Sequence, residues 1–459
     1  MIWMKIKGLF VMLALMIILT ACSGNNGNFS REGNADRGGN KQQTQAGDKK
    51  TVVIAVQGSH SFLQKAAEQF EQKHKDIHIE IKSYMAMPEA NGNGMSAAIS
   101  LSDIEKYVQS VTTQIMAGKG SDLILMENLP QSKLVEKNVL VNLYDLMEKD
   151  SSFAKGDYYE NVFKASQDGD GLYAMPFAVN LDVVQGRADL LEKAKIEIDD
   201  NTWTWEQFKE ISKKAKEQVG QDYFAFINVF PLNLLISYME DNYAELVQPD
   251  GKANFDSDGF REMMRQIKSM YDENVLQAEF TYDYDKALFS QGSLGNPEEA
   301  LRLMTMPKYQ LFKSPTANGK SEGVPYRSWF NLGLNSKSKV QQEAWTFIKY
   351  LLSEEVQQSP ELSGFPVNKK ASEKRIDEAA EKLVKGELEL APDAVDSAVA
   401  HAKAEEIKKL LANAGVKLSS DFKVQSIAIE EFNAYMSDQK SAEEVSKLIQ
   451  NRVTTYLNE

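Results

Sequence analysis

The residue patterns that usually mark a catalytic site are incomplete in this sequence. Gly319, Lys320 and Ser321 match the end of a phosphate-binding P-loop, but Ser314 stands where that loop needs its first glycine. Neither the G-x-S-x-G elbow of serine hydrolases nor the H-E-x-x-H motif of zinc peptidases occurs. With 66 Asp and Glu residues, a carboxylate pair that cleaves glycosidic bonds stays open as an alternative.

Patterns that would bind a metal ion are equally weak. His74 and His78 are spaced i, i+4, but they span the end of a predicted helix, which favours two surface histidines. Asp168 and Asp170 alternate with glycines, yet the other ligands of a calcium loop do not follow, so we predict a tight turn. One cysteine and four histidines exclude a disulfide framework and a Cys/His zinc cluster. We therefore expect neither a metal nor a cofactor.

The overall composition indicates a globular protein. The chain has 459 residues, 42% of them hydrophobic and 26% charged, which is enough for two or three domains. Its net charge of −14 argues against a nucleic-acid partner, because surfaces that bind nucleic acid carry a basic excess.

The N-terminus predicts export and a lipid anchor. Lys5 and Lys7 precede an apolar stretch, residues 8–21, that is shorter than the roughly 20 residues of a membrane span, so residues 1–21 are predicted to be a signal peptide. The segment LTAC ending at Cys22 resembles the bacterial lipobox, in which that cysteine receives a diacylglycerol. Two acyl chains suffice for stable anchoring. A signal peptide with an incidental cysteine is the alternative.

A polar segment follows the cysteine. Residues 22–50 are rich in Gly, Asn, Gln and Ser and have almost no large apolar side chains, which predicts a flexible tether. We therefore expect the protein at the cell membrane, lipid-anchored and facing the extracellular side.

The body of the chain is predicted to be α/β. Residues 51–56 form an apolar run, residues 62–70 carry a helical stripe, and residues 77–81 alternate with period two. Strand, helix and strand in this order predict a parallel βαβ unit. A further strand is predicted at 122–126, after a helix at 104–116 and a loop at 88–102.

Helices dominate the rest of the chain. Thr204 with Gln207, and Ser441 with Glu444, fit capping boxes that open helices. Residues 344–352 carry an apolar stripe that predicts another buried helix. Trp203 and Trp205 are expected to pack at the start of their helix.

Seven segments, in chain order, resemble family 1 extracellular solute-binding proteins, the receptor subunits of ABC importers. Residues 168–180, DGDGLYAMPFAVN, are similar to the family's strand that enters the hinge. The other similar segments are residues 51–58, 114–122, 203–208, 289–292, 332–358 and 364–367. The sequence departs from the family at 186–191, where GRADLL replaces an aromatic-amide pattern, so the resemblance does not transfer a particular sugar specificity.

The resemblance implies an α/β, two-lobe periplasmic-binding-protein-like (type II) fold with a hinge and an interlobe cleft. Lobe 1 is expected to take residues 51–179 and 309–365, and lobe 2 residues 180–308 and 366–459. The implied function is to capture a polar solute, a mono- or oligosaccharide, by lobe closure and to deliver it to ABC permease subunits. We expect a monomer without enzymatic activity. Adoption of this fold for signalling or adhesion is a further alternative.

Solute ligands are expected at the carboxyl ends of strands and at the hinge, because ligands of open α/β sheets bind there. Hydroxyls of a sugar suit planar polar groups, and its C–H faces suit aromatic rings. Trp329 is the expected stacking platform and Asn180 the leading polar group, whereas Asp122 is expected to turn its strand. The predicted ligand-binding residues are Ser59, His60, Glu127, Asn128, Asn180, Tyr326, Arg327 and Trp329.

Overall fold

The computed structural model describes residues 49–85, 101–248, 252–319, 323–388, 395–419 and 421–459. The predicted signal peptide, nearly all of the predicted tether with Cys22, and most of the predicted loop at 88–102 lie outside these residues. Among the described residues, no helix combines the length and apolar character needed to cross a bilayer.

The strands of the described residues fall into two sheets. They are β1 (Lys50–Val56), β2 (Ile77–Ser83), β3 (Leu123–Leu125), β4 (Met175–Pro176), β5 (Ala178–Arg187), β6 (Phe224–Ile227), β7 (Ala287–Leu294), β8 (Tyr309–Phe312), β9 (Val324–Arg327), β10 (Asn331–Leu334), β11 (Phe365–Pro366) and β12 (Ala414–Lys417).

The α-helices surround these sheets. They are α1 (Ser61–Lys73), α2 (Leu101–Met116), α3 (Gln131–Glu136), α4 (Leu143–Lys149), α5 (Glu160–Ala165), α6 (Ala188–Lys193), α7 (Trp205–Val219), α8 (Pro231–Asp241), α9 (Tyr243–Leu246), α10 (Asp258–Asp272), α11 (Pro297–Met304), α12 (Gln341–Leu351), α13 (Glu354–Gln357), α14 (Lys369–Val384), α15 (Ser397–Ala412), α16 (Phe422–Met436) and α17 (Ala442–Asn458).

The first sheet has the order β2-β1-β3-β10-β4 among the described residues. β1 pairs in parallel with β2 and with β3, which confirms the predicted βαβ unit. α1 begins at Ser61 and buries Phe62, Leu63 and Phe70, the stripe that the sequence indicates. β10 pairs antiparallel with β3, so a late segment of the chain completes the sheet.

The second sheet is built around β5. Its order is β12-β9-β5-β7-β6, and β8 and β11 also pair with β5. Alternation along β5 places Val183 in one apolar core and Val184 in the other, as period two requires. Thr204 caps α7 in the predicted box with Gln207.

The segments of the chain that build each sheet differ from the segments predicted for each lobe. β8 and β9 fall within the predicted lobe 1 segment 309–365 but pair with β5 in the second sheet. In the predicted lobe 2 segment 366–459, the buried residues of α14 and α15 join the apolar cluster that both sheets share, whereas those of α16 and α17 join the other core of the second sheet. Contacts between segments that are far apart in sequence decide where these strands and helices lie.

The two sheets share one of their cores. Val52 and Leu332 of the first sheet lie in the same apolar cluster as Val183, Leu294 and Tyr326 of the second sheet. The core of the second sheet's other face is separate and contains Trp203, Trp205 and Phe208, so the predicted packing role of both tryptophans is observed.

Candidate ligand-binding site

The carboxyl ends of β1 and β3 lie side by side, because the two strands are paired in parallel. Gln57, directly after β1, accepts a hydrogen bond from the side-chain amide of Asn128 at 3.0 Å. Asn128 has a left-handed backbone with φ of 62°, which asparagine tolerates better than most residues. Ser59 is exposed in the loop that follows Gln57. The predicted residues of these two loops are therefore brought to one edge of the first sheet.

His60 has a structural task at this edge. Its Nδ1 accepts the backbone N–H of Leu63 at 3.4 Å and so caps α1. Its ring centre lies 4.7 Å from that of Phe330. Burial lowers the pKa of His60, which favours the neutral ring. An accepting Nδ1 leaves Nε2 as the ring's donor.

Glu127 is half-buried beside the same edge. Burial raises the pKa of its carboxyl group, because desolvation disfavours the charged form. Within the described residues, no side chain donates a hydrogen bond to this carboxylate. A half-buried acceptor of this kind can bind a hydroxyl group of a solute.

The second group of predicted residues lies where β5 pairs with β9. Asn180 faces Arg327 directly across the antiparallel pair. In the amide orientation that satisfies both neighbours, Asn180 donates to the carbonyl of Gly295 at 3.3 Å and accepts the indole N–H of Trp329 at 3.2 Å. Trp329 remains 55% exposed. The indole is thus held by its polar edge while its face stays accessible.

Arg327 forms ion pairs with two buried acidic side chains. Its Nη1 donates to Glu240 Oε1 at 2.7 Å, and its Nε lies 3.6 Å from Asp182 Oδ1. The guanidinium also lies 6.0 Å from the centre of the Trp329 ring, within reach of a cation–π contact. Burial raises the pKa of Asp182, and Glu240 adds to this effect while Arg327 opposes it. Local acids therefore offset the positive charge of Arg327.

Tyr326 does not join this group. Its side chain is 0% exposed, and its hydroxyl donates to the carbonyl of Val162 at 3.0 Å and contacts the hydroxyl of Ser166 at 3.0 Å. Side chains of neighbouring residues in a strand point to opposite faces of the sheet. Because Arg327 points to the face with Glu240 and Asp182, Tyr326 points into the core that the two sheets share. We therefore leave Tyr326 out of the site that we propose.

Sequence reasoning missed three contributors to this group. Asp182 and Glu240 hold Arg327, and the carbonyl of Gly295 holds Asn180. The one available signal was Asp182 itself, an acid between Leu181 and Val183 in an otherwise apolar strand, which needs a charged partner when buried.

Two hollows are found among the described residues, and only the smaller one borders the site. A pocket of about 30 Å³, roughly the volume of one water molecule, lies beside β5 and is lined by Asp182, Asp241 and Trp205. An open groove of about 1100 Å³ lies between α14 and α15 and is lined by charged side chains. In the described part of the chain, no three His, Cys, Asp or Glu side chains come together in a way that could hold a metal ion.

The sequence model of the bacterial extracellular solute-binding proteins matches residues 56–358. Solved structures with the same two-lobe fold include maltose-bound MalE3 of T. maritima, 17% identical with a TM-score of 0.54, over 88% of this chain and 99% of that one. An ABC transporter solute-binding protein of Agrobacterium radiobacter K84 in complex with ribitol is 16% identical with a TM-score of 0.55, over 89% and 99%. Another, from Thermotoga lettingae TMO with α-D-tagatose, is 16% identical with a TM-score of 0.52, over 89% and 100%.

Proposed function

The chain belongs to the bacterial extracellular solute-binding proteins, and from this membership we propose that it is the lipid-anchored receptor of an ABC importer for a saccharide. The observation that supports a saccharide as the solute is the exposed indole of Trp329, which is held beside Asn180 and Arg327. An aromatic face suits the C–H face of a sugar ring, and planar amide and guanidinium groups suit its hydroxyls. Maltose and α-D-tagatose, the sugars bound by two of the similar structures, and ribitol, the sugar alcohol bound by the third, support a polyhydroxyl solute of this kind.

The charges around the site favour a neutral solute. The guanidinium of Arg327 lies 6.0 Å from the centre of the indole ring, and Glu240 and Asp182 offset its charge. An anionic ligand would therefore meet carboxylates behind the guanidinium, whereas a polyhydroxyl ligand needs only hydrogen bonds. Glu127 and the Gln57–Asn128 pair provide such hydrogen-bonding groups on the first sheet.

Capture proceeds by lobe closure in this proposal. The lobe with the first sheet contributes Ser59, His60, Glu127 and Asn128, and the hinge region contributes Asn180, Arg327 and Trp329. A solute that touches both groups makes more contacts in the closed state than in the open one, and this difference alone shifts the equilibrium towards closure. The closed protein then presents both lobes to the permease subunits, which supply the transport energy.

The anchor follows from the N-terminus. After cleavage before Cys22, the diacylated cysteine holds the protein at the extracellular side of the membrane, and residues 22–50 tether the lobes to it. A monomer with one binding cleft is sufficient for this task.

A saccharide screen tests the receptor. Thermal shift over a panel of mono- and oligosaccharides should yield a stabilising ligand, and titration calorimetry should then give one equivalent bound. Product analysis after long incubation should return that saccharide unchanged. Cleavage of the saccharide would instead identify an exported enzyme, and a panel without any hit would favour a role in signalling or adhesion.

The anchor has its own test. Cys22→Ser should abolish incorporation of a labelled fatty acid and release the protein from the membrane fraction. A matched Ser23→Ala variant should keep the label. Unchanged labelling of Cys22→Ser would overturn the anchor and leave the receptor proposal intact.

A further inference from the structure

Each sheet has a second apolar core, separate from the one that the two sheets share. The second core of the first sheet contains Val111 of α2, Ile124 of β3 and Leu134 of α3. The second core of the other sheet contains Ile427 of α16 and Val453 of α17. Within the described residues these two clusters have no member in common. A common apolar interior therefore does not join α2 and α3 to α16 and α17.

Polar contacts join these helices instead. Nζ of Lys423, in α16, donates to Oε1 of Glu105, in α2, at 3.0 Å. Nζ of Lys133, in α3, donates to the backbone carbonyl of Tyr456, in α17, at 3.0 Å. The same ammonium lies 4.6 Å from the centre of the Tyr456 ring, which is a cation–π contact. We call Glu105, Lys133, Lys423 and Tyr456 the latch.

One buried carboxylate organises the half of the latch that belongs to α16 and α17. Oδ2 of Asp421 accepts the hydroxyl of Tyr456 at 2.8 Å. Oδ1 of Asp421 accepts the backbone N–H of Lys423 at 2.7 Å and so caps α16. Asp421 is 8% exposed. The ring of Tyr456 and the backbone of Lys423 are therefore fixed relative to each other, which lowers the entropy lost when they contact α2 and α3.

The latch is suited to breaking and forming again. The side chains of Glu105 and Lys423 are 40% and 42% exposed, so water can replace each partner of this ion pair. Ion pairs of this exposure contribute little net stability. The other connection between the sheets is apolar, with Leu332 of the first sheet and Leu294 of the second in one cluster. A motion between the sheets therefore breaks the latch more readily than it separates the shared core.

The latch is connected to the residues of the proposed site. α3, which carries Lys133, begins three residues after Asn128. On the other sheet, Met239 of α8 lies in the same core as α16 and α17. Glu240, the next residue of α8, binds Arg327. The latch therefore holds the segment of Asn128 against the group of helices that positions Arg327.

We propose that the latch of Glu105, Lys133, Lys423 and Tyr456 holds the two lobes together in the closed state and releases them when its contacts break. This inference rests on the lobe closure of the proposed function. The latch acts on the equilibrium between open and closed protein and not on the solute, so it sets the fraction of closed protein and not the choice of solute. Asp421 is its positioning residue.

Pulsed EPR without any solute tests the latch. Gln69→Cys on α1 and Gln218→Cys on α7 replace exposed glutamines on helices of the two sheets and accept spin labels. They are introduced into the full chain together with Cys22→Ser, which removes the one native cysteine. This labelled parent should show mainly one distance between the labels. Addition of Lys133→Ala/Lys423→Ala should raise the population at a second distance about fivefold.

Lys106→Ala/Lys213→Ala is the matched control. It also removes two positive charges, but neither of its ion pairs crosses between the two separate cores. Lys106 pairs with Asp103 within α2, and Lys213 of α7 pairs with Glu273 directly after α10. The control should therefore have the distance distribution of the labelled parent.

Reversal of the ion pair separates the contact itself from general damage to the fold. Glu105→Lys places two ammonium groups opposite each other and should populate the second distance at least as much as the double alanine variant. Further replacement by Lys423→Glu restores opposite charges and should return the distribution to that of the labelled parent. A distribution that does not recover would contradict the latch.

The outcomes separate the latch from the receptor proposal. Equal distance distributions in the parent and the Lys133→Ala/Lys423→Ala variant overturn the latch, whether or not a saccharide binds. A shift in this variant alone, together with a saccharide screen without a hit, supports the latch and removes the saccharide. Where two unlike saccharides bind, the variant should weaken both by the same factor. Loss of affinity for one of them alone would place a lysine in the binding site and overturn the latch.

Discussion

The indole N–H of Trp329 donates to the side-chain oxygen of Asn180 across the pair formed by β5 and β9, at 3.2 Å. The same amide of Asn180 donates to Gly295 after β7. The side chain of Asn180, in β5, therefore links the residues that follow β7 and β9. The bond sets the plane of the indole and leaves its face to a ligand.

Replacement of the indole tests its role in stacking. Trp329→Ala should weaken binding of the saccharide found in the screen at least about tenfold, which corresponds to about 1.4 kcal/mol, because it removes the accessible aromatic face. Trp329→Phe should recover part of the affinity, since it keeps a ring but loses the bond to Asn180. Calorimetry measures both.

Asn180→Ala should cause a loss of similar size to Trp329→Ala, because it frees the indole and removes a polar group. Met116→Ala, another exposed apolar side chain, is the matched control. Wild-type affinity in both Trp329→Ala and Asn180→Ala would remove the hinge residues from the site while the fold assignment stands.

Arg327 should be important for stability as well as for binding. Arg327→Ala would leave Glu240 and Asp182 buried without their cation, so we expect the free energy of unfolding in urea to fall by about 3 kcal/mol. Arg265→Ala is the control. The Arg265 side chain is 45% exposed and pairs with acids at the surface, so its removal should lower the free energy of unfolding by less than about 1 kcal/mol. Equal losses in the two variants would contradict the buried network.

Asp241 should make stability depend on pH. Burial raises its pKa from 3.8 to about 7, and the negative charges of Glu240 and Asp182 add to the shift. Between those values the folded protein holds a proton that the unfolded chain has released, so the contribution of this group to stability falls as the pH rises. Asp241→Asn is neutral throughout. Its unfolding free energy should exceed that of the wild type by at least about 1 kcal/mol above pH 7, and the difference should vanish towards about pH 4.

Unfolding titrations of wild type and Asp241→Asn across this pH range provide the measurement. Asp170→Asn removes the same charge at an exposed turn and serves as the reference. A difference between Asp241→Asn and wild type that stays constant with pH would show that Asp241 is not protonated in the folded state.

The start of α7 depends on one hydroxyl. Thr204 Oγ1 accepts the N–H of Gln207 at 3.2 Å, and the side chain of Gln207 accepts the N–H of Thr204 at 2.8 Å. Thr204→Ala should lower the unfolding free energy by about 1 kcal/mol and leave saccharide affinity unchanged. Thr455→Ala, in the last turn of α17, removes an exposed hydroxyl that donates to the carbonyl of Asn451 but no N-cap, so it should be nearly neutral. A neutral Thr204→Ala would mean that packing alone fixes this helix end.

The sequence predicts those parts of the fold whose signal lies in a short window. The period of two in β2, the buried stripe of α1 and the capping box of Thr204 each depend on fewer than about 12 neighbouring residues. Their structures follow from local preference and amphipathic patterning. The predicted parallel unit of β1 and β2 therefore has the observed pairing.

The remaining features depend on contacts between distant segments. β8 and β9 join the second sheet because they pair with β5, and no local pattern encodes that choice. The same pairing sets which face of β9 points inward, so sequence reasoning could not separate Arg327 from Tyr326. The ion pair of Arg327 with Glu240 and the hydrogen bond between Asn228 and Thr281 likewise join residues that meet only in the folded chain.

The apolar cluster that holds side chains of both sheets has a consequence for melting. Val52 of the first sheet and Val183 of the second belong to this one cluster, so unfolding of either sheet exposes part of the interior of the other. Heating in a scanning calorimeter should accordingly give a single endotherm whose calorimetric and van't Hoff enthalpies agree.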